Sequence, residues 1–114
     1  MNAKIEISKA CGSVTVPPSK SVAHRLLISA ALAEGKSEIF NLPDCDDVLA
    51  TEAALSAFGA GFERRGDSLT VRGTSMKDTR VTGDVFCNES GSTLRFLIPM
   101  ALLSGNKVTF TGAG

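Results

Sequence analysis

The sequence predicts an α/β fold of the α+β type, with helices packed against mixed sheets. Two observations carry this reading. Short segments that alternate apolar and polar residues are interleaved with longer segments of helical period, in the order strand, strand, helix, strand, helix, hairpin, strand, helix, strand. The boundaries fall at proline, glycine and aspartate, which interrupt regular backbone for separate steric reasons. With 114 residues, 43% of them hydrophobic, one domain or part of one can bury a true core.

Lys4 to Ser8 and Ser13 to Val16 alternate and read as two short strands. Pro17-Pro18 stops the second, since proline supplies no ladder donor. Ser19 then suits a helix N-cap, and Val22, Leu26, Leu27, Ala30 and Ala31 form an apolar stripe over a helix from Lys20 to Glu34, stopped by Gly35. Glu38 to Leu42 reads as a strand. Asp44 and Asp47 resemble an acidic capping pair ahead of Val48, Leu49, Glu52, Leu55 and Phe58 at helical spacing, with Gly59 and Gly61 closing the segment. Phe62 to Arg65 and Ser68 to Arg72 flank Gly66-Asp67 as a hairpin. Residues 73 to 82 are polar and read as a loop or edge. Gly83 to Cys87 is a short strand. Ser90 to Leu103 is apolar nearly all round, which predicts a buried helix, kinked or locally broken at Pro99 and stopped by Gly105. Lys107 to Thr111 is a last strand.

Twelve Lys and Arg balance twelve Asp and Glu, which gives no support to broad nucleic-acid or membrane binding. No run reaches the ~18 apolar residues of a membrane span. The first residues lack the apolar block of a signal peptide. Cys11, Cys45 and Cys87 are widely spaced, with no CxxC pair and a single histidine, so a zinc site is not indicated and three reduced thiols in a cytoplasmic protein are expected.

Two segments carry candidate chemistry. Ser19-Lys20-Ser21 with Arg25 places an ammonium, a guanidinium and hydroxyls at a helix start, beside free N–H groups and the positive dipole end. Such a site takes a phosphate or carboxylate. An ordinary capped helix with solvated charges accounts for the spacing equally well. A P-loop is excluded, because Ser19 stands where glycine must precede the lysine and two prolines remove donors. Asn88-Glu89-Ser90-Gly91-Ser92-Thr93-Leu94-Arg95 again sets small hydroxyl residues and a glycine ahead of a helix. Arg95 paired with Glu89 on a capped helix is the plainer alternative. His24 reads as a packing or hydrogen-bonding residue rather than a catalyst. Asp44, Asp46 and Asp47 read as helix-start acids rather than metal ligands. Cys87 lacks a nearby base for a nucleophilic role.

Together these segments resemble the 5-enolpyruvylshikimate-3-phosphate synthases. Pro18 to Gly35 is similar to the family's first signature, Asp46-Asp47-Val48 to its following helix start, and Glu89 to Arg95 to its second signature. The resemblance runs from about Ile5 to Gly112. It implies the enolpyruvyl transferase fold, built from βαβαββ units, and transfer of the enolpyruvyl group of phosphoenolpyruvate to the 5-hydroxyl of shikimate 3-phosphate. Under that resemblance Lys20 contacts both substrates and is the catalytic candidate. Ser21 and Arg25 bind shikimate 3-phosphate, Gly91 lines the phosphoenolpyruvate pocket, and Ser92 and Arg95 support it. No metal or organic cofactor is implied. The partners are small anions, with no nucleic acid and no membrane.

The sequence departs from the family pattern at two places. His24 stands where many members have asparagine, and Glu89-Ser90-Gly91-Ser92 where many have Asn-Ala-Gly-Thr. Members are roughly four times as long, so the resemblance implies an N-terminal fragment. Residues 1–17 would be strands that join the other domain, and residues 18–114 a partial shikimate-phosphate-binding domain, inactive alone and prone to self-association through uncovered apolar surface. Two alternatives are a stand-alone anion-binding module and a fragment of the sister UDP-N-acetylglucosamine enolpyruvyl transferases. Those carry Lys-Asn where this chain has Lys20-Ser21.

Overall fold

The computed structural model describes residues 3, 4, 6, 9, 11–75, 81 and 83–113. Ser19 caps the first helix as its sequence suggests: its Oγ accepts from Val22 N at 3.4 Å. That helix, α1, spans Lys20–Leu32 and is followed by strand β1, Lys36–Phe40. Helix α2 covers Asp46–Ala57. Strands β2 (Gly61–Arg65) and β3 (Ser68–Arg72) form the hairpin. Strand β4 (Asp84–Phe86), helix α3 (Gly91–Ser104) and strand β5 (Thr109–Thr111) complete the order.

The hairpin turns on Gly66-Asp67, with Arg65 opposite Ser68. Gly66 has φ +59° and Asp67 returns to negative φ, the type II′ arrangement that matches strand twist. β3 is the centre of an antiparallel sheet in the order β1-β3-β2. It sends Leu69 and Val71 into the core, against Ile39 of β1 and Phe62 of β2. β4 and β5 form a separate parallel pair. Leu27, Leu55, Phe58, Leu69, Val71, Val85 and Leu97 are fully buried where the helices meet the sheets. Burying a side chain of this size is worth about 1.5–3 kcal/mol each.

Four expectations need correction. Ser13 to Val16 is not a strand. The segment is exposed and pairs with no described strand, and alternation without a partner leaves its ladder groups unsatisfied. Of the expected first strand, Ile5, Ile7 and Ser8 lie outside the described residues, as do 76–80 and 82 of the polar segment. The buried stripe of α1 is rotated: Ala23 and His24 join Leu27, Ala30 and Ala31 inside, while Val22 and Leu26 are exposed. The third helix is only half buried. It packs along one face on α2, burying Thr93, Leu97, Met100 and Ala101, and leaves Leu94, Ile98, Leu102 and Leu103 exposed. It also runs through Pro99 without a break, at the cost of the bond that residue 99 would donate to the Arg95 carbonyl.

α1 ends two residues before Glu34 for a tertiary reason. The chain leaving β3 crosses the helix end, where Thr74 N donates to Ala31 O at 2.9 Å and Gly73 N donates to Gly35 O at 3.0 Å. A Cβ on residue 73 would stand 1.8 Å from the Ala33 carbonyl oxygen, a distance that backbone atoms cannot tolerate. Gly73→Ala is therefore expected to lower unfolding free energy by at least ~2 kcal/mol, the upper part of the range for overpacking. Urea denaturation of both proteins checks it, and equal midpoints would show that the close approach does not exist.

Candidate functional site

The site is built from three helix starts. Lys20, the first residue of α1, donates from Nζ to Asp47 Oδ2 in the first turn of α2 at 2.5 Å. Four residues on in both helices, His24 Nδ1 lies 2.8 Å from Thr51 Oγ1. Contacts that advance by one turn in the same sense make α1 and α2 parallel, with their first turns side by side. Thr51 Oγ1 is also 2.7 Å from Thr93 Oγ1, in the first turn of α3. The Arg25 guanidinium sits 5.4 Å from the centre of the Phe96 ring, one turn into α3. The N-terminal ends of α1, α2 and α3 thus gather at one end of the molecule.

Parallel dipoles repel unless anions stand at their positive ends. α2 carries its own, Asp46 and Asp47. α1 and α3 have no acidic residue in the first turn. The side-chain caps differ accordingly. Ser19 and Ser90 cap α1 and α3 with hydroxyls, whereas Cys45 at the start of α2 makes no side-chain cap bond. Two positive ends are therefore left without a covalently attached counter-charge, and Lys20 adds to one of them.

Lys20 is about half exposed at its side chain. The hydrogen bond to Asp47, then its charge, raises the Lys20 pKa above the ordinary lysine value, so the group is an ammonium at neutral pH. Three N–H donors on Nζ leave two beyond the Asp47 bond. Ser21 is exposed, and its carbonyl accepts from Arg25 Nη1 at 2.7 Å. That bond, with the ring of Phe96, holds the guanidinium between α1 and α3. Gly91 and Ser92 are exposed at the start of α3, with nothing within 4 Å of where a Gly91 Cβ would be. Arg95 is exposed and forms no ion pair with Glu89 among the described residues.

A groove of about 240 Å³ touches the start of α1 at Pro18, Ser19 and Val22. An open apolar groove of about 390 Å³ runs along α2 past Leu49, Ala53 and Phe86, and one of about 250 Å³ lies on the sheet around Phe62 and Thr70. Neither is lined by Lys20, Ser21, Arg25 or Gly91. The anion-ready helix starts are a surface rather than an enclosed cavity.

His24 is buried with 1% exposure, in the packing and hydrogen-bonding role its sequence context suggests. Burial lowers its pKa below the ordinary 6.5, with Asp47 opposing the shift and Lys20 and Arg25 reinforcing it. Cys87 is buried too, which pushes its thiol pKa up and keeps it protonated. Sequence reasoning missed Thr51 and did not single out Thr93 as a link. Both lie on helix faces read as apolar or as caps, and only a polar residue at a core-facing position hints at them.

A segment whose helix starts gather beside an antiparallel sheet, with Lys20 and Arg25 among them, is in class an α/β unit. The family profile for EPSP synthase (3-phosphoshikimate 1-carboxyvinyltransferase) matches residues 5–114, and the chain belongs to that family. A 3-phosphoshikimate 1-carboxyvinyltransferase of Clostridium perfringens (strain SM101 / Type A) is 44% identical over 107 residues, 94% of this chain and 25% of that relative. One of Clostridium kluyveri is 46% identical over 110 residues, 96% of this chain and 26% of the relative. The solved EPSP synthase from Acinetobacter baumannii superposes with a TM-score of 0.74 at 27% identity, over 90% of this chain and 24% of that one. The chain spans about a quarter of the length of the curated relatives it matches. No helix among the described residues is long and apolar enough to cross a membrane.

A buried histidine with a lowered pKa makes stability depend on pH. Below pH 6.5 the unfolded chain binds a proton that the folded chain does not, so stability is full above that value and falls as pH drops toward the folded pKa. The slope approaches at most ~1.4 kcal/mol per pH unit. Urea unfolding between pH 7.5 and 5.5 is expected to show this decline, and His24→Asn is expected to flatten it. An identical decline in the variant would assign the proton uptake to another group.

Proposed function

We propose that this segment supplies anion-binding helix starts to a 3-phosphoshikimate 1-carboxyvinyltransferase. The reaction forms a bond between the 5-oxygen of shikimate 3-phosphate and C2 of phosphoenolpyruvate, and then expels phosphate from that carbon. The 5-hydroxyl gives up its proton, and the methylene carbon gains one on addition and loses one on elimination. Lys20, Ser21 and Arg25 hold shikimate 3-phosphate. Gly91 lets the phosphoenolpyruvate approach the backbone of α3, and Ser92 and Arg95 support that turn. Lys20 reaches both substrates.

The observation that carries this reading is the convergence of α1 and α3, both without first-turn acids, at one end of the molecule. Two anions that must react repel each other, and their approach needs positive charge placed in advance. Free helix N–H groups and two cations supply it. Lys20 keeps its contact with Asp47 and offers its remaining donors.

Calorimetric titration with shikimate 3-phosphate tests the assignment. Lys20→Ala and Arg25→Ala are each expected to weaken binding at least about tenfold, as loss of a charge-assisted hydrogen bond does. Binding that ignores both substitutions would place the ligand elsewhere and remove the basis of the proposal.

A further inference from the structure

A continuous chain of buried polar groups joins the three helices. It runs from His24 Nδ1 to Thr51 Oγ1 at 2.8 Å, to Thr93 Oγ1 at 2.7 Å, and to Ser90 Oγ at 2.7 Å. Ser90 caps α3, accepting also from Thr93 N at 3.3 Å. His24, Thr51, Ser90 and Thr93 are all at or below 3% exposure. One end of the chain is the residue beside Arg25. The other is the residue beside Gly91.

The protons on this chain can be counted. Thr51 Oγ1 has one hydrogen and three neighbours: His24 Nδ1, Thr93 Oγ1 and the Asp47 carbonyl at 3.1 Å. The carbonyl only accepts. If Thr51 donates to it, or to Thr93, then His24 Nδ1 must be the donor toward Thr51. The opposite assignment puts the hydrogen on His24 Nε2, which has no partner among the described residues. A buried N–H without an acceptor is rarer than a bare acceptor. The proton belongs on Nδ1. With Thr93 donating to Ser90, the 2.7 Å contact between Thr51 and Thr93 is filled only by the Thr51 hydrogen, and the chain then runs from α1 through α2 to the cap of α3.

We propose that Thr51 is a positioning residue for substrate binding: through His24 and Thr93 it sets the start of α3, with Gly91, in register with the start of α1, with Lys20 and Arg25. It touches no substrate itself. Its hydroxyl is the shared partner of both helices, and in the low-dielectric interior such a link is stiff because each group has few alternatives. This inference rests on the function proposed above, since the two ends it aligns are the two ends that hold the substrates.

The test uses the 114-residue chain with four variants. Thr51→Val keeps the shape and removes the hydroxyl, and Thr51→Ser keeps the hydroxyl. Thr93→Val cuts the link between α2 and α3 alone. Val71→Ala in β3 is a core control that loses stability without touching the chain. Calorimetry with shikimate 3-phosphate, well below every unfolding midpoint, is expected to show about tenfold weaker binding for Thr51→Val and Thr93→Val and little change for Thr51→Ser and Val71→Ala. Equal losses in Thr51→Val and Val71→Ala, or no rescue by serine, overturn the proposal.

A ligand-free arm separates this inference from the reading beneath it. Nitrogen-15 spectra of His24 are expected to show Nδ1 protonated in the wild type and in Thr93→Val, and a tautomer mixture in Thr51→Val. The Gly91 to Thr93 amide signals are expected to move in Thr51→Val and stay in Val71→Ala. If the wild type does not bind shikimate 3-phosphate, the functional proposal falls and these spectra still decide whether Thr51 sets the α3 start. Unmoved amides in Thr51→Val overturn the positioning role.

Discussion

One hydroxyl, that of Thr51, lies within hydrogen-bond distance of the helix before it and the helix after it in the chain. Much of the arrangement follows from that. A threonine in mid-helix ordinarily bonds back to the carbonyl one turn earlier, and Thr51 is close enough to Asp47 O to do so. Here the same oxygen also meets His24 and Thr93. Buried polar groups must find partners, so α1 and α3 can each pack on α2 in very few registers. Apolar packing around Leu27, Leu55 and Leu97 tolerates small slides, whereas the hydrogen-bond chain does not.

That registry creates an electrostatic problem and uses it. The parallel helices α1 and α2 present their positive ends together, and the start of α3 lies beside them. α2 neutralises its own with Asp46 and Asp47, and Asp47 in turn orients Lys20. The remaining two ends carry hydroxyl caps and no acid. A fold that leaves two such ends and two cations at one surface is stabilised by whatever anion binds there. Structure and proposed chemistry meet at this point: the apolar core and the buried hydrogen bonds hold the helix starts together from beneath the surface.

Much of this was legible in the residues. Pro18-Ser19-Lys20 announces a capped helix start, Gly66-Asp67 a hairpin, and Gly105, at φ +67°, a helix stop, because each acts through its own backbone geometry. His24, between Ala23 and Arg25 on a helix, was legible as a packing or hydrogen-bonding residue. The burial of the helices was not. Val22 and Leu26 look like core residues and are exposed, while Ala23 is buried. The third helix reads as buried on composition alone, but it has a neighbour on one face and exposes Leu102 and Leu103 on the other.

Local order was decided by the sequence: where α1 and α3 start, where the hairpin turns, and which helix starts carry cations and which carry acids. These depend on φ preferences, missing donors and charge within one turn, which neighbours in sequence determine. The expected capping pair of Asp44 and Asp47 is not formed, since α2 starts at Asp46 behind Cys45, which makes no side-chain cap bond. Tertiary structure alone decided which faces are covered, that α1 ends where Thr74 reaches Ala31, and that three helix starts gather at one end. Those outcomes depend on residues 27 to 43 positions apart meeting in the folded chain, and no single stretch of chain contains both partners.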